Sequence, residues 1–169
     1  MTETRIKLRK PSNQDGSAVW ELVRSCKPLD ENSMYCNLVQ CDHFADTCVL
    51  AEMNGAPVGW ISAYVRPDDP ETLFVWQVAV SPLARGCGLG RRMLGQLIAR
   101  DACADVNQIQ TTITKDNDAS WGLFSSFAER QGAEIDSEAY YKSEEHFDGT
   151  AKTEHLVTIP LAEPLSAAA

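Results

Sequence analysis

The stretch from Val75 to Leu94, VWQVAVSPLARGCGLGRRML, constrains the chain more than any other. Its first part is a strand-forming apolar run, its middle carries Gly86, Gly88 and Gly90, and its last part opens at once into a helical pattern. Glycines without Cβ let successive backbone N–H groups converge, and the helix N-terminus adds a partial positive charge and unpaired donors. Such a loop is a diphosphate cradle. Arg85, Arg91 and Arg92 place three guanidinium groups beside it. A dinucleotide-binding GxGxxG loop would need glycine where Arg91 stands, and a Walker A loop would need Gly-Lys-Ser/Thr, which is absent. An exposed basic turn at a helix start is the plain alternative.

The rest of the chain supplies the frame for this loop. Ile6 to Arg9 reads as a short strand, and Ser12 to Asp15 offers cap residues for a helix carrying Val19, Trp20, Leu22 and Val23. A second helix is expected from about Asn32, with Tyr35, Leu38, Val39 and Cys41 or Asp42 at helical spacing. Thr47 to Met53 and Pro57 to Val65 are β-rich runs joined by Asn54-Gly55, a hairpin signal. After a polar loop containing Asp68-Asp69-Pro70, Leu73 to Val80 makes a third strand. The order then changes to helix (Leu89 to Cys103, burying Met93 or Leu94, Leu97, Ile98 and Ala102), strand (Gln108 to Thr114) and helix (Ala119 to Gln131). That last helix shows Leu123, Phe124, Phe127 and Ala128 on one face and stops at Gly132. Strands Glu134 to Tyr140 and His155 to Leu161 close the sheet. The pattern predicts an α+β fold whose mixed, mostly antiparallel sheet of six or seven strands holds one parallel pair made by a crossover, with about four flanking helices. At 169 residues one domain, residues 1–169, is expected, with the tail from Glu163 to Ala169 frayed.

Composition narrows the partners. Lys+Arg 15 against Asp+Glu 24 gives a net charge of −9, which argues against a nucleic-acid backbone and leans toward a cationic small molecule, although acidity also serves solubility alone. The start, MTETRIKLRKP, has charges where a signal peptide needs apolar residues, and the longest apolar runs are strand-sized, so a cytoplasmic protein off the membrane is expected. Cys26, Cys36, Cys41, Cys48, Cys87 and Cys103 form no CxxC pair and no matched Cys/His spacing. They read as reduced thiols packed like small hydrophobes, with no metal site.

Gln77-Val-Ala-Val-Ser-Pro followed by Arg85-Gly-Cys-Gly-Leu-Gly90 resembles the acetyl-CoA signature of the GNAT acetyltransferase superfamily, whose loop runs Arg/Gln-x-x-Gly-x-Gly/Ala. The resemblance implies the GNAT fold and acetyl-CoA as co-substrate. It implies that Arg85, Gly86, Cys87, Gly88, Leu89, Gly90 and Arg91 hold the pyrophosphate, and that Val78, Ala79 and Val80 offer backbone groups to the pantetheine arm from a strand splayed off its parallel neighbour. Asn117 looks like the family's cofactor-contacting Asn at the start of the following helix. The Tyr that commonly follows it as a candidate acid is here Phe124. A thiol of pKa near roughly 8.5 leaves as thiolate with little acid help.

The whole chain, from Arg9-Lys-Pro to Thr153-Glu-His-Leu156, is similar to the L-2,4-diaminobutyrate acetyltransferases of ectoine biosynthesis. Leu29-Asp-Glu-Asn-Ser-Met-Tyr35, Phe74-Val-Trp-Gln-Val-Ala-Val80 and Thr153-Glu-His-Leu156 carry that similarity. It implies acetylation of the γ-amine, a homodimer, and a substrate pocket of Asp30, Tyr35, Trp76, Glu154 and His155, to which Asn32 and Ser33 belong by their hydrogen-bonding chemistry; direct attack without a covalent acyl-enzyme is the expected mechanism. Asp30 and Glu154 would meet ammonium groups, Trp76 would bound the methylene chain, and Asn32, Ser33 and Tyr35 would complete the hydrogen bonding. Glu154 is the first candidate base and His155 the second, with Tyr35 also a candidate catalytic group; Glu154 as a mere ammonium holder stays open. Asp30 also reads as a helix N-terminal residue, Tyr35 and Trp76 as core, and Glu154 and His155 as surface residues beside a strand. His43 and His146 read as ordinary loop residues. Acetylation of a different amine, acyl-CoA sensing without chemistry, and nucleotide binding are the rival functions.

Overall fold

The computed structural model describes residues 5–162. The expected frayed tail, Glu163 to Ala169, and the first four residues lie outside that range. The elements in order are β1 (Ile6–Arg9), α1 (Gly16–Ser25), α2 (Met34–His43), β2 (Val49–Met53), β3 (Ala56–Arg66), β4 (Asp69–Val80), α3 (Leu89–Ile98), β5 (Gln108–Thr114), α4 (Asp118–Gln131), β6 (Asp136–Tyr141), α5 (Ser143–Phe147) and β7 (Glu154–Pro160). The strands form one seven-stranded sheet in the order β1-β2-β3-β4-β5-β7-β6, in which β4 and β5 are the parallel pair. The contacts fall into two compact units, Met1–Tyr64 with Val75–Ala104, and Val65–Phe74 with Asp105–Ala169.

In the first unit β1 pairs antiparallel with β2, and β2 with β3. Asn54 (φ 54°) and Gly55 (φ 79°) make the tight turn of that hairpin, as the dipeptide predicts. Alternate residues of the strands face opposite sides. Leu50 and Trp60 join Val19, Leu22 and Val23 of α1, Cys41 of α2, Cys26, Cys48 and Ala79 in one buried cluster. Gly59 instead meets Met93 of α3, whose Sδ and Cε lie 3.0 Å from where a Gly59 Cβ would stand. The first strand is fastened by charge. Arg9 donates through both terminal nitrogens to Asp15 (2.8 and 2.7 Å) and through Nε and Nη2 to Glu52 (2.9 and 2.6 Å). The Arg9 hydrogen bonds, aided by the Ser12 N–H, hold the Asp15 carboxyl below its ordinary value against the opposing effect of burial. Asp15 occupies the expected cap place of α1, but its side chain serves Arg9 and Ser12 rather than the helix.

Several boundaries differ from expectation: α2 begins at Met34 rather than about Asn32, β3 runs Ala56–Arg66, and three more have a visible cause. Thr47 belongs to a 3₁₀ turn, Ala45–Thr47, because its Oγ1 donates to the Ala63 carbonyl at 2.7 Å. β4 starts at Asp69 rather than Leu73, since Asp68 is taken by Arg66 and Asp69 accepts from Thr72 Oγ1 at 2.6 Å, leaving a two-residue turn in place of the polar loop. α3 stops at Ile98 rather than Cys103. Arg100 adopts extended angles (φ −75°, ψ 152°), and its Nη1 donates to the carbonyls of Cys48 (2.6 Å), Asp46 (3.1 Å) and Ala45 (3.4 Å). A 3₁₀ turn, Asp101–Cys103, follows and buries Cys103 in place of Ala102.

In the second unit β5 pairs antiparallel with β7 from Gln108↔Pro160 to Thr114↔Glu154, and β7 with β6. Ile109, Ile113, Val157 and Ile159 from these strands and Phe124, Phe127 and Ala128 from α4 are buried. The parallel register joins Thr72, Leu73 and Phe74 to Gln108, Ile109 and Gln110, after which β4 runs on past the end of that ladder. α4 ends where expected, at Gly132 in the left-handed region (φ 68°). α5 is an unexpected helix: His146, read as a loop residue, sits within it and accepts the Lys142 N–H at 2.8 Å through Nδ1. Likewise His43 closes α2 rather than lying in a loop.

Candidate active site

The glycine loop forms as the residues require. β4 ends at Val80, Ser81 caps a 3₁₀ turn over Pro82–Ala84, and Arg85 leads extended into two left-handed glycines, Gly86 (φ 82°) and Gly88 (φ 73°). Gly88 is the N-cap of α3, and its carbonyl accepts the first helical bond from Arg92 N–H at 3.0 Å. Leu89, Gly90 and Arg91 form the first turn of α3, the end of a helix that favours an anion. A Cβ at Gly86 would meet nothing within 4 Å, so space lies open there; at Gly88 it would stand 3.0 Å from Arg91 Nη2, which puts that guanidinium over the loop. Arg85 turns back instead, donating through Nε to the Val80 carbonyl at 3.1 Å. Open space, a helix N-terminus and a guanidinium suit a pyrophosphate.

The predicted cofactor residues divide by how they could act. Leu89 and Ala79 bury their side chains in the core, so only their backbone is available to a ligand. Val78 and Val80 are half-buried, and the Val80 carbonyl already accepts from Arg85 and from Cys26 Sγ. Cys87 is exposed, its Sγ donating to the Ala84 carbonyl at 3.0 Å. It departs from the expectation of packed thiols that Cys26, Cys41, Cys48 and Cys103 meet; burial pushes the Cys41 thiol up to about 12 and the Cys48 thiol up to about 11. In the second unit Asn117 caps α4, its Oδ1 accepting from Ser120 N–H at 3.2 Å. Phe124, further into the same helix, is buried.

In the first unit Asp30 and Asn32 are held to β4 through Gln77, a residue that sequence reasoning did not place in the substrate pocket. Gln77 Nε2 donates to the Asp30 carbonyl at 2.9 Å, and Gln77 Oε1 accepts from Asn32 Nδ2 at 3.2 Å. No sequence signal marks such a role, because a glutamine in a strand reads as solvated. Ser33 is the N-cap of α2 and accepts the Cys36 N–H at 3.0 Å. Tyr35 and Trp76, with a rival reading as core, are 75% and 46% exposed. Trp76 meets Tyr64 edge-on at 6.2 Å between ring centres, and Tyr64 meets Phe44 at 6.2 Å. These rings form an aromatic wall with an exposed indole, suited to methylenes or to a cation.

Glu154 and His155 belong to the second unit and open β7, one residue earlier than expected. Glu154 pairs with Thr114 and His155 with Ile113, and both side chains are half-buried. Adjacent strand residues project to opposite faces, so the two are not interchangeable.

Comparison with known proteins agrees with this geometry. The acetyltransferase (GNAT) family pattern matches residues 17–128. L-2,4-diaminobutyric acid acetyltransferase of Vibrio cholerae is 45% identical over 153 residues, 90% of this chain and 88% of the relative. The enzyme of the same name from Methylotuvimicrobium alcaliphilum is 46% identical over 154 residues, 91% and 90% of the two chains. Among solved structures, the diaminobutyrate acetyltransferase EctA of Paenibacillus lautus, in complex with its substrate L-2,4-diaminobutyric acid and coenzyme A, superposes with a TM-score of 0.89 at 42% identity, covering 94% of this chain and 96% of that one. The chain therefore belongs to the GNAT acetyltransferases and, within them, to the L-2,4-diaminobutyric acid acetyltransferase family.

Proposed function

We propose that the protein transfers the acetyl group of acetyl-CoA to the γ-amine of L-2,4-diaminobutyrate, giving N-γ-acetyl-diaminobutyrate and coenzyme A for ectoine synthesis under osmotic stress. The observation that carries this is the likeness, at 42% identity, to a structure that holds both that diamino acid and coenzyme A. The open left-handed loop with Arg91 over it supports the cofactor half.

Acetyl-CoA supplies an acetyl group already activated as a thioester. The first-turn amides of α3 and Arg91 hold its pyrophosphate, Arg85 adds its terminal nitrogens because its Nε is taken by the Val80 carbonyl, the backbone of Val78–Val80 lines its pantetheine arm, and Asn117 contacts it from the start of α4. The amine arrives as an ammonium of pKa near about 10 and must lose a proton before its nitrogen attacks. Glu154 is assigned that proton on its chemistry, with His155 second, and Tyr35 completes the catalytic set by hydrogen bonding. Asp30 faces the other ammonium, Trp76 bounds the methylenes, and Asn32 and Ser33 add acceptors and donors. The carbonyl gains a bond to nitrogen and loses its bond to sulfur, which departs as thiolate; Phe124 has no proton to give it. Alignment of the two reactants can supply roughly 7–11 kcal/mol of the barrier. The attack is direct: Cys87 lies in the phosphate loop, remote from the thioester end of a cofactor so bound. The protein works as one domain and as a cytoplasmic homodimer, with no nucleic acid or membrane partner. Among the described residues no helix is long and apolar enough to cross a membrane.

Thiol release from acetyl-CoA, measured side by side with diaminobutyrate, lysine, ornithine and putrescine, tests the substrate, and proton NMR of the product tests the nitrogen. Diaminobutyrate should give the highest kcat/KM and a γ-acetyl product. Preference for another amine, or acetylation at the α nitrogen, would overturn the assignment.

A further inference from the structure

We propose that Gln77 is a positioning residue for the amine, its side-chain amide clamping the Asp30–Asn32 segment to β4; this rests on the acetyl transfer proposed above. Residues 30–33 have neither helical nor strand structure, so no backbone ladder holds them. Side-chain contacts do the holding: Lys27 and Arg24 pair with Glu31, Ser33 caps α2, and three further contacts fix Asp30 and Asn32. Gln77 Nε2 donates to the Asp30 carbonyl (2.9 Å), Asn32 Nδ2 donates to Gln77 Oε1 (3.2 Å), and Trp20 Nε1 of α1 donates to the Asn32 carbonyl (3.1 Å). Trp20 is itself set by the Arg24 guanidinium, 4.3 Å above its ring.

The chemistry of position 77 is specific. The clamp needs one donor and one acceptor on the same side chain, which a primary amide provides; a carboxylate cannot donate to the Asp30 carbonyl, and a cation cannot accept from Asn32. Being neutral, Gln77 adds no charge beside an ammonium. It takes up the Asp30 backbone carbonyl and leaves the Asp30 carboxylate for the substrate. Gln77 directly follows Trp76 on β4, so the clamp ties the segment bearing Asp30 to the strand that carries the indole expected to bound the methylenes. Without it, the amine would have to order an irregular segment on binding, an entropic penalty that appears in amine affinity and not in cofactor affinity.

The test uses Gln77→Met, close in size and without hydrogen bonds. The wild-type enzyme is first assayed with diaminobutyrate; failure there refutes the acetyl-transfer assignment itself and is distinct from failure of the clamp, which is read in the variants. Gln77→Met should raise the KM for diaminobutyrate on the order of tenfold, the loss of two net hydrogen bonds, while the KM for acetyl-CoA stays within about twofold. In ¹H–¹⁵N spectra of the free protein the Trp20 indole signal, assigned through Trp20→Phe, should move, because its acceptor lies in the released segment. Combining Gln77→Met with Asn32→Ala should raise the amine KM by clearly less than the product of the single effects. An unchanged amine KM, equal rises in both KM values, an unmoved indole signal, or multiplicative effects in the double variant would each overturn the clamp.

Discussion

Alanine at Gly88 tests the cradle against a matched control. Gly88 (φ 73°, ψ 23°) and Gly132 (φ 68°, ψ 25°) occupy nearly the same left-handed conformation, one at the start of α3 and the other at the end of α4. An L residue there costs about 1–2 kcal/mol. At about 2–4 °C per kcal/mol for a chain of this size, each alanine variant should lose roughly 2–8 °C of Tm. The local surroundings then separate the two. A Cβ at Gly132 meets nothing within 4 Å, whereas at Gly88 it stands 3.0 Å from Arg91 Nη2 and pushes that guanidinium off the loop. Loss of one charge-assisted hydrogen bond to phosphate, about 1.5 kcal/mol or more, corresponds to a rise of about tenfold or more in the KM for acetyl-CoA. Thermal unfolding and thiol-release assays at varied acetyl-CoA measure both quantities. Gly88→Asn, which tolerates this backbone better, should recover part of the Tm and none of the KM. Were Gly88→Ala to keep wild-type acetyl-CoA affinity, or Gly132→Ala to lose as much of it, the phosphate role of the loop would fall.

Three further outcomes are expected. Glu154→Gln should lower kcat by on the order of a hundredfold or more at neutral pH and move its rise to higher pH, as loss of a general base requires; wild-type kcat across the pH range removes Glu154 as the base. Asp15 is held below the ordinary carboxylate range chiefly by Arg9, so its stabilisation is complete above the unfolded value of about 3.9 and is lost as pH falls through the lower folded value. The Tm gap between wild type and Asp15→Asn should accordingly be constant from neutral pH down to about pH 5 and close in stronger acid, and a gap independent of pH contradicts the Arg9 origin. Cys87 should be the first thiol alkylated in the native protein, with Cys41 and Cys48 reacting only on unfolding, and Cys87→Ala should keep its turnover; an isolable acetyl adduct on Cys87 would refute direct attack.

Elements governed by local chemistry were legible in the sequence to the residue or nearly so. Ile6–Arg9 and Gln108–Thr114 alternate cleanly, Asn54-Gly55 dictates its turn, and the glycines of the phosphate loop dictate theirs. Where a side chain reaches a distant backbone, the pattern misleads. The helical periodicity after Leu89 runs on to Cys103, yet Arg100 is drawn to carbonyls around residue 46 and ends the helix early. α5 lacks an apolar stripe to announce it and shows none of its residues fully buried. At the site, charged and aromatic residues could be named from family likeness, but Gln77 works through contacts with residues more than forty positions away, which no local pattern encodes.

The placing of Trp76, Gln77 and Val78 side by side on β4 bears on how such an enzyme could diversify. On the function proposed above, two residues of the strand serve the acceptor and the next begins the donor's track, while the anion grip lies further on in separate positions. Drift at the indole and in the stretch ahead of α2 can therefore redirect which amine is chosen and leave the thioester handling intact, so novelty in one partner need not be bought with loss of the other.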